Sequence, residues 1–298
     1  RQLLGGSDVL IEGFRPGVME RLMLGPDTCL DLNPTLVYAR ITGWGQSGPN
    51  AAMAGHDLNY IAITGALALM GREGSMPTPP LNAVGDFAGG GMMLAIGILS
   101  ALHEARQSGR GQVVDTSVVD GTLSLISQFF GMYDAGIWSL ERGTNVLDSG
   151  APFYDTYRCK DGELIALAAI EDKFFAQFLE RAGLSTDLLA WKRSRGSWPK
   201  LREAISHQIA DKTRDEWMAI FTDCDACVSP VLNLDEARRY PPLTDRSAFV
   251  EVDGHLQPAP APRFSRTPSQ KPSAAANISK DELLAWWGTQ TSYATAKI

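Results

Sequence analysis

A histidine and two aspartates lie beside two glycine-marked turns, in residues 55–60 and 81–91. The pKa of histidine lies nearest to neutral pH, so His56 could remove and return a proton, and Asp57 could orient its imidazole. Asp86 precedes an apolar helix pattern, where backbone N–H groups and the helix dipole favour a carboxylate or a substrate oxyanion. These residue types suit proton abstraction next to a carbonyl group.

A purely structural interpretation of the same residues stays open. Asp86 could be only the N-cap of the following helix, which is a common role for aspartate. His56 could be a hydrogen-bonded polar residue in a turn. The residue types alone do not decide between the two interpretations.

The elements around these residues alternate between strands and helices. Short apolar runs predict strands at 8–12, 36–41 and 112–117, and helical spacing predicts helices at 59–70, 92–102 and 119–138. The helix from Met92 is apolar nearly all round, which predicts a buried central helix. We therefore predict an α/β fold.

The second half of the chain has a different pattern. The turn signal Lys160-Asp161-Gly162 predicts a hairpin of strands 153–158 and 163–169, followed by helices at 173–182, 198–209, 214–221 and 278–287. Glu171 precedes the first of these helices. We predict a small lobe of residues 144–249 and a large lobe of residues 1–143 and 250–298.

Composition excludes several classes of protein. The 298 residues have a net charge of −7, which argues against a general nucleic-acid surface. Four cysteines are too few for a disulfide scaffold, and the isolated pair Cys224-x-x-Cys227 only weakly indicates a metal or redox site. We predict that no apolar run is long enough to span a membrane. We predict a cytoplasmic protein with no metal and no nucleic-acid partner.

Several motifs occur in an order that resembles the family III CoA-transferases and, within them, the α-methylacyl-CoA racemases. The resemblance extends over nearly the whole chain. It rests on Gly-His-Asp-Leu-Asn-Tyr (55–60), Pro-Pro-Leu-Asn (79–82), Gly-Asp-Phe-Ala-Gly-Gly-Gly (85–91), Gly-Arg-Gly-Gln-Val-Val-Asp (109–115), Gly-Ala-Pro-Phe-Tyr-Asp-Thr-Tyr (150–157) and Pro-Arg-Phe-Ser-Arg-Thr (262–267).

The resemblance implies racemisation of 2-methylacyl-CoA thioesters in fatty-acid metabolism, through an enolate. His56 and Asp86 would be the two bases, Glu171 would reach His56 from the partner chain, and Asp57 and Asn82 would support the site. The implied fold is a Rossmann-like large lobe and a smaller α+β lobe in an interlocked homodimer. No cofactor is implied, because acyl-CoA is the substrate. The residues implied in CoA or substrate binding are Arg15, Arg21, Gly55, Tyr60 and Tyr154.

Each implied role has a structural alternative. Arginine suits phosphate binding because its planar fork donates paired hydrogen bonds, but Arg15 could equally pair locally. Glu171 could be an ordinary acid at a helix start, and Tyr154 a half-buried hairpin aromatic.

Two alternative functions also remain. In CoA transfer Asp86 would be a nucleophile that forms an acyl-enzyme, but that reaction does not require His56 as a second base. Compared with the family pattern the opening segment is absent, so the other alternative is a non-catalytic remnant that binds CoA.

Overall fold

A computed structural model describes residues 2–274 and 277–294, with side chains up to residue 288. The chain divides into two compact units, Arg1–Tyr154 and Asp155–Ile298, and both contain helices and strands. The predicted mixed α/β class is therefore confirmed. Residues 250–298, which the sequence analysis assigned to the large lobe, are grouped with the second unit.

A parallel sheet of three strands forms the first unit's centre, in the order β1 (Val9–Glu12), β2 (Val37–Thr42) and β3 (Gln112–Ser117). The chain leaves all three strands at the same edge of the sheet. The middle strand is the most deeply buried, since Val37, Tyr38 and Ala39 have no exposed surface.

The described residues of this unit also form seven helices longer than three residues, and two of them correct a prediction. The predicted helix 119–138 is interrupted at Ile126, whose side chain packs into a buried cluster with Ile61 and Ala66. The helices are α1 (Val18–Arg21), α2 (Pro26–Leu32), α3 (Asp57–Ile63), a π-helix (Ala83–Met92), α4 (Met93–Ser108), α5 (Val118–Leu125) and α6 (Ser127–Asp134).

The π-helix and α5 approach each other more closely than side chains would allow. A Cβ atom added to Gly121 would lie 1.8 Å from the carbonyl oxygen of Gly89. The π winding is seen in the bond from the Phe87 N–H to the carbonyl oxygen of Asn82, at 3.2 Å and five residues back. The glycine-rich sequence therefore allows direct backbone packing between the two helices.

Helix α4 is not buried all round, contrary to prediction. Its exposed face contains Ile96 and Leu99, which are 59% and 68% exposed, and Met92 at the end of the π-helix continues this face and is 65% exposed. A Cβ atom on Gly97 would meet the Val114 side chain of β3 at 2.7 Å, so the other face packs on the sheet. The continuous helix Ala83–Ser108 is long and apolar enough to cross a membrane, by length and composition. The prediction that no apolar run is long enough to span a membrane is therefore wrong. One face of this helix packs on the sheet, and 22% of its most apolar window is buried within the chain.

Strands β4 (Tyr154–Arg158), β5 (Leu164–Ala168) and β6 (Val228–Pro230) form the main sheet of the second half. Neighbouring strands β4 and β5 are joined at the predicted turn, where the Cys159 N–H donates to the Glu163 carbonyl at 2.8 Å. The other elements are α7 (Asp172–Ala182), α8 (Leu189–Lys192), α9 (Trp198–Ile209), α10 (Arg214–Ile220), α11 (Leu234–Arg239), α12 (Pro241–Asp245), β7 (Phe249–Val252), β8 (His255–Pro258) and α13 (Lys280–Ala294).

Candidate active site

His56 is the residue that precedes α3, and its backbone is extended, with φ −133° and ψ 172°. Its N–H donates to Oδ1 of Asn59 at 3.1 Å, and its carbonyl accepts the Asn59 N–H at 2.8 Å. This reciprocal capping fixes the backbone at the start of the helix. The imidazole is exposed, so it is available to a bound molecule.

Asp57 links the two candidate bases. Its side chain is buried, and Oδ1 accepts the backbone N–H of Asp86 at 2.7 Å. Only glycine fits at position 85, because a Cβ atom there would lie 2.3 Å from the same oxygen. One carboxylate thus ties the residue after His56 to the backbone of Asp86. The hydrogen bond described for the Asp57 carboxylate is thus with the backbone of Asp86. The prediction from the sequence was that Asp57 could orient the imidazole of His56.

Asp86 lies inside a helix and not before one. The π-helix begins three residues earlier, at Ala83, and Asp86 is half-buried in its first turn. The N–H of Asp86 bonds to Asp57, and the N–H of Phe87 bonds to Asn82, so these two groups are not free for a substrate oxyanion. Asn82 itself is exposed and precedes the helix.

A cavity of about 270 Å³ opens where β1 and β2 end. Loops at the carboxyl ends of parallel strands are the usual position of ligand sites in α/β folds. Four predicted site residues line it, namely Arg15, Gly55, His56 and Tyr60. Sequence reasoning assigned no role to two other large residues of the wall, Phe14 and Met53, which lie in loops without a periodic signal. Trp44, in the glycine-rich loop after β2, also lines the wall.

Tyr60 connects the cavity to Asp86. Burial raises the pKa of Tyr60, the charge of Asp86 raises it further, and the charge of Arg15 opposes them. The Tyr60 hydroxyl donates to the carbonyl of Gly55, and its ring meets Trp44 edge-on, with centroids 4.8 Å apart. Asp86 does not line the cavity, but its charge acts on the cavity wall.

The two arginines predicted to bind CoA lie on one segment, and both are exposed. Arg15 belongs to the cavity wall, and Arg21 is the last residue of α1. Positive charge on an acidic chain is the local feature that an anionic ligand requires. The structure thus brings Arg15 to His56 at one cavity and leaves Arg21 outside its wall.

Glu171 lies in the second unit, where it is exposed and precedes α7. The buried ammonium of Lys192 fixes the backbone on both sides of it, by donating to the Ile170 carbonyl and, at 2.9 Å, to the Asp172 carboxylate. Tyr154 begins β4 and is half-buried.

The cysteine pair gives no metal centre. Cys224 is half-buried and Cys227 is exposed. Within residues 2–274 and 277–294, no group of three or more His, Cys, Asp or Glu side chains is arranged to hold a metal ion.

Comparisons with known proteins fit this arrangement. The family model of CoA-transferase family III matches residues 1–280. This chain is 46% identical over 284 residues to alpha-methylacyl-CoA racemase of Mus musculus, which covers 95% of this chain and 74% of that protein. It is 44% identical over 270 residues to alpha-methylacyl-CoA racemase of Homo sapiens, covering 90% and 71%.

The fold agrees with a solved structure. A CAIB/BAIF family protein from Brucella suis superposes with a TM-score of 0.78, covering 97% of this chain and 77% of that one. At 22% identity, this likeness concerns the fold alone. With the family match across the chain, the predicted resemblance is confirmed, and the protein belongs to CoA-transferase family III.

Proposed function

We propose that this protein is a racemase of 2-methylacyl-CoA thioesters that transfers the α-proton between two bases. The observation on which the proposal rests is the link from Asp57, directly after His56, to the backbone of Asp86. It ties the residue that follows His56 to the backbone of Asp86, so the two candidate bases lie on segments that are bonded to each other. The racemase names of the relatives at 44–46% identity support the same reaction.

In this mechanism His56 and Asp86 would lie on opposite faces of the substrate α-carbon. One base removes the proton, the thioester stabilises the resulting enolate, and the other base returns a proton to the opposite face. The positive end of the helix that begins at Ala83 would favour the negative enolate oxygen. The α-hydrogen is already acidified by the thioester, so we propose that no cofactor takes part.

The finer features of the predicted fold belong to the same proposal. We infer a Rossmann-like large lobe and an interlocked homodimer in which Glu171 of one chain orients His56 of the other. The exposed Ile96 and Leu99 of α4, together with Met92 just before it, support a second copy as a partner, because an apolar stripe of this kind is suited to an interface. We propose a cytoplasmic role in fatty-acid metabolism.

The test is α-proton exchange in D₂O, started from each epimer of a 2-methylacyl-CoA separately. The wild type should incorporate deuterium from both epimers and mix their configuration. His56→Ala should lose inversion, while Asp86 still exchanges the proton on its own face. His207→Ala is the matched control, because His207 is exposed in the last turn of α9 and does not line the cavity.

The outcome separates the alternatives. No exchange from either epimer, in protein shown to bind the thioester, would exclude the racemase. CoA transfer to an added carboxylic acid, with Asp86 trapped as an acyl-enzyme, would then establish the transferase. Binding with neither reaction would indicate the non-catalytic remnant.

A further inference from the structure

The segment that contains Arg15 and Arg21 has little regular structure of its own. Residues 13–24 include only the single turn of α1, Val18–Arg21. Backbone hydrogen bonds within the segment, such as those from Val18 to Arg15 and from Leu24 to Met19, shape it locally, but its position relative to the sheet depends on contacts with the sheet. Three hydrogen bonds from the sheet reach this segment, and two of them involve charged side chains.

Arg40 of β2 is the centre of these contacts. Its Nε donates to Oε1 of Glu12 on β1 at 2.6 Å, and its Nη1 donates to Oε1 of Glu20 in α1 at 2.9 Å. The side chains of Arg40 and Glu12 are only 8% and 2% exposed, whereas that of Glu20 is 44% exposed. Arg40 therefore joins the sheet directly to α1, one residue before Arg21.

Glu12 extends the connection to the cavity wall. While Oε1 accepts from Arg40, Oε2 accepts the backbone N–H of Phe14 at 2.8 Å. Phe14 and Arg15 both line the cavity. The same carboxylate thus accepts from two donors, one on the sheet and one on the loop beside Arg15.

The third contact lies further along the same segment. The hydroxyl of Tyr38 donates to the carbonyl of Leu24 at 2.8 Å, and the Arg40 guanidinium lies 5.7 Å from the Tyr38 ring centroid. The loop and α1 are therefore fixed at residues 14, 20 and 24. Arg15 follows Phe14, whose N–H donates to the Glu12 carboxylate. Arg21 follows Glu20, whose carboxylate accepts from Arg40.

Stability alone does not account for this arrangement. A buried ion pair returns little net stability, because removing both charges from water costs about as much as their attraction gains. Nη2 of Arg40 is also buried without a hydrogen-bond partner among the described residues, which adds a further cost. What the network does provide is a fixed position for the two exposed arginines.

We propose that Arg40 and Glu12 are positioning residues that set the affinity for the phosphate-bearing part of CoA, by fixing Arg15 and Arg21. This inference rests on the proposed function, since it takes acyl-CoA as the ligand. Neither residue touches the reacting atoms. Their loss should weaken binding of the nucleotide part and leave the proton-transfer step unchanged.

The test variant is Glu12→Gln. Arg40 and Phe14 donate to different oxygens of the Glu12 carboxylate, and in glutamine one of these two positions becomes an NH₂ group, which cannot accept from the donor that it faces. Glu20→Gln is the matched control, because Oε1 of Glu20 accepts from Arg40 and an amide oxygen can replace that contact. Arg40→Lys is the second variant, since an ammonium lacks the fork that reaches both carboxylates.

The ligands are CoA, a 2-methylacyl-CoA and the matching N-acetylcysteamine thioester, which lacks the nucleotide. For Glu12→Gln we expect the Kd for CoA and the KM for acyl-CoA to rise about tenfold, the effect of one lost hydrogen bond. The kcat, and kcat/KM for the short thioester, should stay within about twofold of wild type. Glu20→Gln should match wild type throughout.

The proposal is overturned if Glu12→Gln binds CoA like wild type, or if both thioesters lose activity equally, which would indicate a general structural role. If Glu12→Gln does not fold, Arg40→Lys is judged by the same criteria. A wild type that binds CoA but exchanges no α-proton would refute the racemase only, and the CoA dissociation constants would still decide this inference. A wild type that does not bind CoA would refute both.

Discussion

Replacing Gly121 by alanine should separate the π-helix from α5 and disturb Asp86. The added Cβ atom would lie 1.8 Å from the carbonyl oxygen of Gly89, 2.6 Å from its carbon and 2.9 Å from its Cα. All three are backbone atoms, so no side-chain rotation relieves the contact. Restoring ordinary van der Waals distances requires the two helices to move apart by about 1.5 Å.

The magnitude follows from that displacement. Overpacking a core usually costs about 1–3 kcal/mol, and a rigid backbone contact places Gly121→Ala near the upper end, at about 3 kcal/mol. A shift of about 1 Å in a catalytic group can cost about 100-fold in rate. Because Asp86 lies on the same π-helix as Gly89, we expect α-proton exchange to fall by about that factor.

Gly131→Ala is the control. Gly131 lies in α6, and an added Cβ atom would have no neighbour within 4 Å. Alanine there should raise the free energy of unfolding by about 0.5–1 kcal/mol, because alanine favours a helix over glycine. Urea unfolding measures both variants, and deuterium incorporation measures exchange. Equal stability of the two variants, or a destabilised Gly121→Ala with wild-type exchange, would refute the reasoning.

Three further predictions follow from the site and the buried titratable groups. Asp57→Ala should lower the free energy of unfolding by about 1–3 kcal/mol and remove most of the exchange activity, because it leaves the Asp86 N–H unpaired. Asp57→Asn keeps an acceptor oxygen for this N–H. An alanine variant as active as the asparagine variant would contradict this prediction. Burial raises the pKa of Cys159 to about 11, so at pH 8 only about one Cys159 thiol in a thousand is ionised. Desolvation also raises the pKa of Cys227, but this residue is exposed, so iodoacetamide should label it before Cys159, as peptide mass analysis would show. Burial raises the pKa of Tyr38 to about 12 from 10.0. The stability that the neutral Tyr38 side chain contributes is therefore complete below pH 10 and is lost as pH rises towards 12. Phenolate absorbance should show one tyrosine that ionises only on alkaline unfolding.

Local sequence signals predicted most elements of the fold. The strands 36–41 and 112–117 are short runs that contain β-branched residues, and Lys160-Asp161-Gly162 is a turn whose chemistry is local. What failed depends on tertiary contacts. Helix 119–138 is interrupted at Ile126 because that side chain packs beside Ile61, and no periodicity shows this.

The candidate site was predicted in part. The residues near the cavity, His56 and Tyr60, belong to a short motif that sequence alone can identify. The partner of the Asp57 carboxylate was not predictable, because Asp86 is 29 positions away in sequence and the contact depends on how two helices meet. In the sequence, Arg40 is likewise one polar residue in an apolar strand. Its hydrogen bonds to the carboxylates of Glu12 and Glu20 form only in the folded protein.

In the π-helix, the direction in which the Asp86 carboxylate points depends on the angular position of this residue around the helix axis. Each residue in an α-helix turns the chain by about 100°, so deleting one residue between Asp86 and Met93 would swing the carboxylate about a quarter turn or more while α4 stays in place. Insertion or deletion in the run of three glycines is then a way to redirect this carboxylate that no single substitution reproduces. Length variants of the glycine run are therefore the changes to which the chemistry of this protein should be most sensitive.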